Sequence, residues 1–320
     1  MQTRILTASD VRAAVPMPAA VEAVEAVFAA HGRGETQMPV KVYLELDEHE
    51  GDFRAMPAFA LGSAGVKWVN AHPRNPERHG LPSVMGMYVL SDPATAEPLA
   101  VLDATLLTAL RTGAAAGVAT KYLARKDAQT IGFIGSGVQA RTMLAAIRAA
   151  LGRDLHVLAA DVDSAAAETF AGEAGGRAVS VEEACGADVV CTATPVREPI
   201  VRDGWIGSGQ HINAMGADAH GKQEIDAAVL RRSLVVVDDV DQASGSGEVN
   251  VPLSRGELQS SDLHASLGEI VAGRAPGRTD DAQITLFDST GLAVQDVALA
   301  RLAYDRAEQE DLGLQLDFRS

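Results

Sequence analysis

Apolar residues recur along this chain with two periods, and the change between them divides it. After Ser9-Asp10, which has the form of a helix cap, Val21, Val24, Val27 and Phe28 recur at helical spacing and predict an opening helix. From Met38-Pro39 the period becomes two. Val40, Val42, Leu44 and Leu46 alternate with Lys41, Tyr43 and Glu45, as in a half-buried strand. Strand-like runs follow at 52–58, 65–71, 84–90 and 98–102, with Asp92-Pro93-Ala94-Thr95 as the turn between the last two. Their short connections predict a largely antiparallel sheet. Leu106, Leu107, Leu110 and the small residues Gly113 to Ala119 then predict a helix over 104–123, within which the chain passes into a second domain. Short apolar runs at 130–134, 155–160, 188–192, 211–215, 234–238 and 284–287 alternate with helical or irregular segments, which predicts a parallel, doubly wound sheet. Ser244-Gly245-Ser246-Gly247 reads as a loop. The segment 293–310 reads as a terminal helix with Val294, Val297, Ala298, Arg301, Leu302 and Tyr304 on or near one face, able to return the chain to the first domain.

The run 130–134 leads into Gly135-Ser136-Gly137, and Val138-Gln139-Ala140-Arg141 opens an alanine- and leucine-rich helical segment. Strand, glycine turn and helix in this order form a dinucleotide-binding unit, with Ala140 in the third small position. Gly135 allows the tight turn, Gly137 lets the backbone approach a pyrophosphate, and the helix start offers free N–H groups and partial positive charge to phosphate. A glycine pattern alone is weak; the next run gives it context. That run ends at Asp161, about 26 residues past Gly135, where an acidic side chain holds a ribose 2′-hydroxyl. The plainer alternative is a solvated loop carboxylate. A carboxylate there repels a 2′-phosphate, so the expected cofactor is NAD rather than NADP.

Composition narrows the partners. A chain of 320 residues is long enough for two domains, and its hydrophobic share of 47% is that of an ordinary globular protein. A net charge of −16 without a basic run argues against nucleic acid and anionic membrane as partners, and any anionic substrate then requires locally placed Arg or Lys. Cys185 and Cys191 show no metal-like spacing and read as reduced thiols, so no metal is expected. The first residues lack a basic-then-apolar leader and no apolar run reaches membrane-spanning length, which leads us to expect a cytoplasmic protein.

Several charged residues stand in apolar settings. Lys67, in Gly65-Val66-Lys67-Trp68-Val69-Asn70, is either a strand lysine pointing to water or a desolvated amine suited to acid/base work. Arg54 can fork onto a substrate carboxylate or form a structural ion pair, and Lys41 is a third cation of the first domain. Arg111, beside Thr112 in an otherwise small and apolar helix, requires a partner such as a cofactor phosphate or a substrate carboxylate. Met215-Gly216-Ala217-Asp218 and Ser289-Thr290-Gly291 follow strands at the carboxyl edge, where doubly wound folds bind ligands. Asp218 is the carboxylate best placed to orient an amine or handle a proton. His220 has a near-neutral pKa, but a lone loop histidine is more often incidental.

Together these segments resemble the ornithine cyclodeaminase/mu-crystallin family: 38–43, 52–57, 65–67, 110–115, 132–137, 216–218 and 289–293, in that order and spacing. The resemblance implies a Rossmann NAD-binding domain at 117–293 and an α+β substrate-binding and dimerisation domain at 1–116, completed by 294–320. It also implies a homodimer, and oxidation or reduction at an amino-acid Cα through an imine. Lys41-Val42-Tyr43-Leu44, Gly51 to Pro57 and Gly65 to Asn70 look most like the alanine dehydrogenase branch, where the residues matching Arg54 and Lys67 serve the substrate carboxylate and acid/base chemistry. The expected reaction interconverts L-alanine with pyruvate and ammonium. Lys41, Arg54 and Lys67 bind substrate, with Lys67 paired to Asp218 for proton transfer. Arg111, Thr112, Gly135 to Gln139, Asp161, Met215 to Ala217 and Ser289 to Gly291 serve the cofactor. Two departures separate the chain from the cyclodeaminases. Arginine stands at 54 in place of an acid that serves a diamino substrate, and the loop Asp218-Ala219-His220-Gly221-Lys222-Gln223 lacks their cysteine and proline. The alternatives are a cyclodeaminase or ketimine reductase on the same site, and a non-catalytic NAD(P)H or small-ligand carrier.

Overall fold

The computed structural model describes residues 2–317. The chain forms two compact units, one made of the residues up to Arg111 with those from Leu292 on, the other of Thr112–Gly291. The expected passages were at 116/117 and 293/294; of the segment 294–320, residues 318–320 lie outside the described residues.

The first unit contains β1 (Gln2–Leu6), α1 (Ala8–Ala14), α2 (Met17–Gly32), β2 (Val42–Leu46), β3 (Gly51–Ala60), β4 (Ser63–Ala71), α3 (Asn75–His79), β5 (Val84–Ser91), β6 (Pro98–Asp103) and the start of α4 (Ala104–Leu123). The second holds the rest of α4, then β7 (Thr130–Ile134), α5 (Val138–Leu151), β8 (His156–Ala160), α6 (Ser164–Ala174), β9 (Arg177–Ala178), α7 (Val181–Cys185), β10 (Val189–Thr192) and β11 (His211–Ala214). It continues through α8 (Ala227–Arg231), β12 (Ser233–Val237), α9 (Val240–Ser246), α10 (Asn250–Ser254), β13 (Leu263–Ser266), α11 (Leu267–Val271) and β14 (Ile284–Asp288). The chain then gives α12 (Ala293–Glu310) and β15 (Leu314–Asp317) to the first unit.

In the first unit, β2 to β6 form the expected antiparallel meander, within a sheet ordered β15-β1-β6-β5-β4-β3-β2. The opening helix is two helices, because Pro16 starts α2. The cap of α1 is Thr7 rather than Ser9, and Asp10 closes the box by accepting from the Thr7 backbone N–H at 2.8 Å. On one face of the sheet lie α12 and the apolar stripe of α2 (Val24, Val27, Phe28). The register sets Tyr43 beside Arg54, Arg54 beside Val69, and Met56, Lys67, Tyr88 and Leu102 in one cross-strand row. Lys67 is therefore on the buried face. Strand β2, expected to be half-buried, is exposed at every residue but the last, because it is the edge strand.

The second unit has a wholly parallel sheet ordered β13-β12-β14-β11-β10-β7-β8-β9. The order reverses between β7 and β10, so the loop after β7 stands at a topological switch point. Ser244 to Ser246 do not form the expected loop but the last turn of α9. Asp239 caps that helix by accepting from the Gln242 N–H at 2.8 Å, and burial of Ala243 and Ser246 outweighs the low helix propensity of Gly245. Among the described residues no single helix is long and apolar enough to cross a membrane.

Candidate active site

Within the first unit, side chains from distant parts of the sequence meet around Lys67. The lysine is 1% exposed. Its ammonium forms an ion pair at 2.8 Å with Oδ2 of Asp296, in the first turn of α12, and donates to Thr108 Oγ1 at 3.3 Å. Asp296, wholly buried, also faces Arg111, whose Nε is 3.5 Å from Oδ1. Arg111 donates through Nη1 to Gln295 Oε1 at 3.3 Å. Burial pushes the Lys67 pKa down to about 7; Asp296 resists this fall, and the charges of Arg111 and Lys41 add to it. Tyr88, adjacent to Lys67 in register, is also buried; desolvation and the Asp296 charge raise its pKa well above the ordinary value.

Asp218 was the acidic partner expected for Lys67; within the first unit, Lys67 pairs with Asp296. Asp218 pairs with Lys222 at 2.5 Å, four residues on in the same loop. Arg111, expected at cofactor phosphates, is held inside the first unit by Gln295 and Asp296. Arg54 sits on β3 with Nε and Nη2 on the two oxygens of Asp52, at 2.8 and 2.9 Å, and its guanidinium lies 5.3 Å from the Tyr43 ring centre. A structural ion pair therefore does form there, and it fixes the direction of the fork. Lys41 is buried just before β2.

In the second unit the glycine turn has the form its sequence implies. Gly135 adopts φ +97°, and a side chain there would come within 2.7 Å of the Ala193 carbonyl oxygen after β10. Gly137 caps α5 without any side-chain hydrogen bond, and a Cβ at 137 would meet nothing within 4 Å. The first N–H groups of a 14-residue helix thus start at open space, an arrangement that fits a pyrophosphate. Asp161 directly follows β8 and accepts the Ser136 N–H at 2.7 Å, which ties the acidic tip to the turn. Val138 is exposed and Gln139 half-buried on the first turn, while Ser136 and Thr112 are buried.

The ornithine cyclodeaminase/mu-crystallin family profile matches residues 1–311. The chain belongs to that family. An alanine dehydrogenase of Archaeoglobus fulgidus is 48% identical over 324 aligned residues, covering 99% of each chain. A solved archaeal alanine dehydrogenase dimer with bound NAD matches with a TM-score of 0.95 at 48% identity, over 99% of this chain and 100% of that one. The Delta(1)-pyrroline-2-carboxylate reductase of Thermococcus litoralis, solved with NADH and L-proline, matches at 0.93 and 36% identity, over 98% of this chain and 100% of the other.

This ornithine cyclodeaminase/mu-crystallin family member also contains buried carboxylates that sequence reasoning missed. Asp238, at the end of β12, accepts the N–H groups of Thr290 and Gly291 at 2.7 Å each, and so shapes the turn that Ser289 to Gly291 form before α12. Glu224 accepts from the Thr192 hydroxyl, the Thr194 N–H and hydroxyl, and the Gly216 N–H, at 2.7 to 2.8 Å, which joins the loops after β10 and β11. Glu248 in turn accepts the N–H groups of Glu224 and Ile225. Met215 and Ala217 are buried beside Gly216. The signal in the sequence was an acid directly after an apolar strand, as in Val237-Asp238 and Phe287-Asp288. Asp296 carried a similar one, a charge next to Val294 and Val297.

Proposed function

We propose that this protein is an NAD-dependent alanine dehydrogenase that interconverts L-alanine with pyruvate and ammonium through an imine. The observation that carries the reading is the buried Lys67, its pKa brought to about 7 inside a cationic pocket. The chain that holds it is 48% identical, end to end, to an archaeal alanine dehydrogenase. The solved relatives with NAD and NADH support the cofactor. Gly135, Ser136, Gly137, Val138 and Gln139 would hold the pyrophosphate on the open start of α5, and Asp161 the ribose. Thr112, Met215 to Ala217 and Ser289 to Gly291 would complete the dinucleotide site. Bound NAD supplies the acceptor for the Cα hydride, which leaves an imine.

Arg54, directed by Asp52, and Lys41 bind the substrate carboxylate. We assign Arg111 to the same pocket rather than to the phosphates, because Gln295 and Asp296 engage its guanidinium. Lys67, in its neutral form, takes a proton from the water that adds to the imine carbon. With the imine protonated, it returns that proton to the nitrogen, takes the remaining hydroxyl proton as the C–N bond breaks and the carbonyl forms, and passes it to the departing ammonia, so that pyruvate and ammonium result. A pKa near the working pH lets one amine do both. Asp218, on the loop after β11, is assigned to proton handling. The small substrate fits a pocket with cations and no acid at position 54. The enzyme would work as a homodimer in the cytoplasm. In support of the dimer, Val42, Ala55, Trp68 and Met87 form an apolar cross-strand row on the sheet face opposite α12, and Val42 and Met87 are 62% and 59% exposed.

The test is absorbance at the NADH band in both directions, with pyruvate, ammonium and NADH, and with L-alanine and NAD. Lys67→Ala should lower kcat by at least about 100-fold and leave NADH binding close to the parent's; full turnover would remove the assignment. Arg54→Ala should raise KM for pyruvate more than it lowers kcat. A second reading, cyclic-imine reduction, draws on the 36% identity to the Thermococcus reductase. It predicts turnover of a pyrroline carboxylate with NADH where pyruvate and ammonium give none. Cyclodeaminase action would show as proline formed from ornithine without net NADH. Silence in every assay, with NADH still bound, would indicate a carrier.

A further inference from the structure

We infer that Asp296 is a positioning residue that spans two cations, Lys67 on one carboxylate oxygen and Arg111 on the other, and so supplies the charge that lets Lys67 carry its proton. The inference rests on the reading of Lys67 as the proton carrier. Five polar groups from four segments surround the amine. Thr108 and Arg111 come from α4, Tyr88 from β5, Lys41 from the segment before β2, and Asp296 from α12; the cross-strand neighbour on β3 is the apolar Met56. Three of these groups, counting Lys67, are cations, and among the described residues of the first unit Asp296 is the carboxylate that pairs with the ammonium.

The geometry makes the acid indispensable to the amine. Asp296 has no exposure, and Lys67 has 1%. Water screens neither charge, so each depends on the other and on Arg111. Without Asp296 the amine would face Arg111 and Lys41 from a desolvated strand and would hold no proton at neutral pH. A buried ion pair is a poor way to gain stability compared with packed apolar residues. Its placement beside the one lysine of the meander with a near-neutral pKa is what assigns it to the chemistry. The arrangement also sets geometry: the 2.8 Å contact and the Thr108 hydroxyl hold the ammonium from two helices, α12 and α4.

The experiment compares kcat/KM for alanine oxidation from pH 5.5 to 10 in the parent, Asp296→Asn, Asp296→Glu and Lys67→Ala, with NADH binding followed by fluorescence as the check on folding. In Asp296→Asn the rising limb should move to lower pH by about one unit or more, and kcat at the plateau should fall about tenfold or more because the amine is no longer held. Asp296→Glu keeps the charge and should bring the limb back to near the parent's position. A limb that stays in place in a folded Asp296→Asn protein overturns the inference while leaving the role of Lys67 intact. Parent-like turnover in Lys67→Ala overturns both. If Asp296→Asn does not fold, Arg111→Gln carries the test with the opposite sign. It removes a like charge from beside the amine and leaves Asp296 to Lys67 alone, so the limb should move up, and an unmoved limb again overturns the inference.

Discussion

A buried lysine and a buried tyrosine side by side illustrate how much a neighbour decides. Lys67 has Asp296 and Thr108, and the ion pair keeps its pKa near 7 against a desolvation that would otherwise take it lower. Tyr88, next to it in register, is 0% exposed, and among the described residues its hydroxyl has no hydrogen-bond partner. A buried hydroxyl without a partner costs about 1–3 kcal/mol. Tyr88→Phe should therefore leave the melting temperature unchanged or raise it, and thermal unfolding monitored by circular dichroism checks this. A clear fall would mean that the phenol bonds within the folded protein. If Tyr88→Phe instead raises KM for pyruvate at unchanged stability, the hydroxyl is kept for the substrate. Arg54 shows the reverse case: both alternatives raised by its sequence concern the same fork, and Asp52 occupies two of its nitrogens.

At the scale of elements, the β7–turn–α5 unit separates two uses of glycine. Gly135 is structural: its φ of +97° and the 2.7 Å approach to the Ala193 carbonyl leave no place for a side chain. Gly137 has an ordinary φ of −80° and open space around it, so its lack of a side chain serves no contact within the protein. Gly137→Ala should change stability by less than about 1 kcal/mol yet weaken NADH binding about tenfold or more, because the methyl occupies the approach of a pyrophosphate. Gly135→Ala should lower both. Fluorescence titration with NADH beside urea unfolding distinguishes them, and equal NADH affinity in Gly137→Ala and parent would count against the dinucleotide site. The turn at Ser289 to Gly291 depends on Asp238 in the same way. Asp238→Ala removes the acceptor of two buried N–H groups and should cost about 2–3 kcal/mol.

Two buried groups of the second unit give its stability opposite pH dependences. His211 is wholly buried between Thr285 and Asn213, and burial pushes its pKa down to about 3, with the Arg278 charge adding to the fall. Between pH 6.5 and about 3 the unfolded chain binds a proton at His211 that the folded chain does not. Its contribution to stability is therefore full above 6.5 and is lost as the pH falls through that window. Asp288, pushed up to about 8 chiefly by burial, acts with the opposite sign: its contribution declines as the pH rises from 3.8 to about 8. Urea unfolding at pH 4.5 and 7 should show a slope in His211→Gln reduced by up to about 1.4 kcal/mol per pH unit, and an unchanged slope would show that the histidine does not govern acid stability. Much of this molecule was legible along the chain. The helices 104–123 and 293–310, the strand 130–134 and the glycine turn lie where periodicity and small residues place them, because those signals are local. The cations Lys41, Arg54, Lys67 and Arg111 stood out against apolar neighbours. What pairs with each cation was not legible. Lys67 looks along the chain to no acid, and its pairing with Asp296 arises only when α12 returns to the meander and the strand register turns Lys67 toward it. The sequence by itself determined the elements, the dinucleotide motif and the charges to be buried. The tertiary structure decided which charges meet, since burial and pairing depend on distances between residues far apart in sequence.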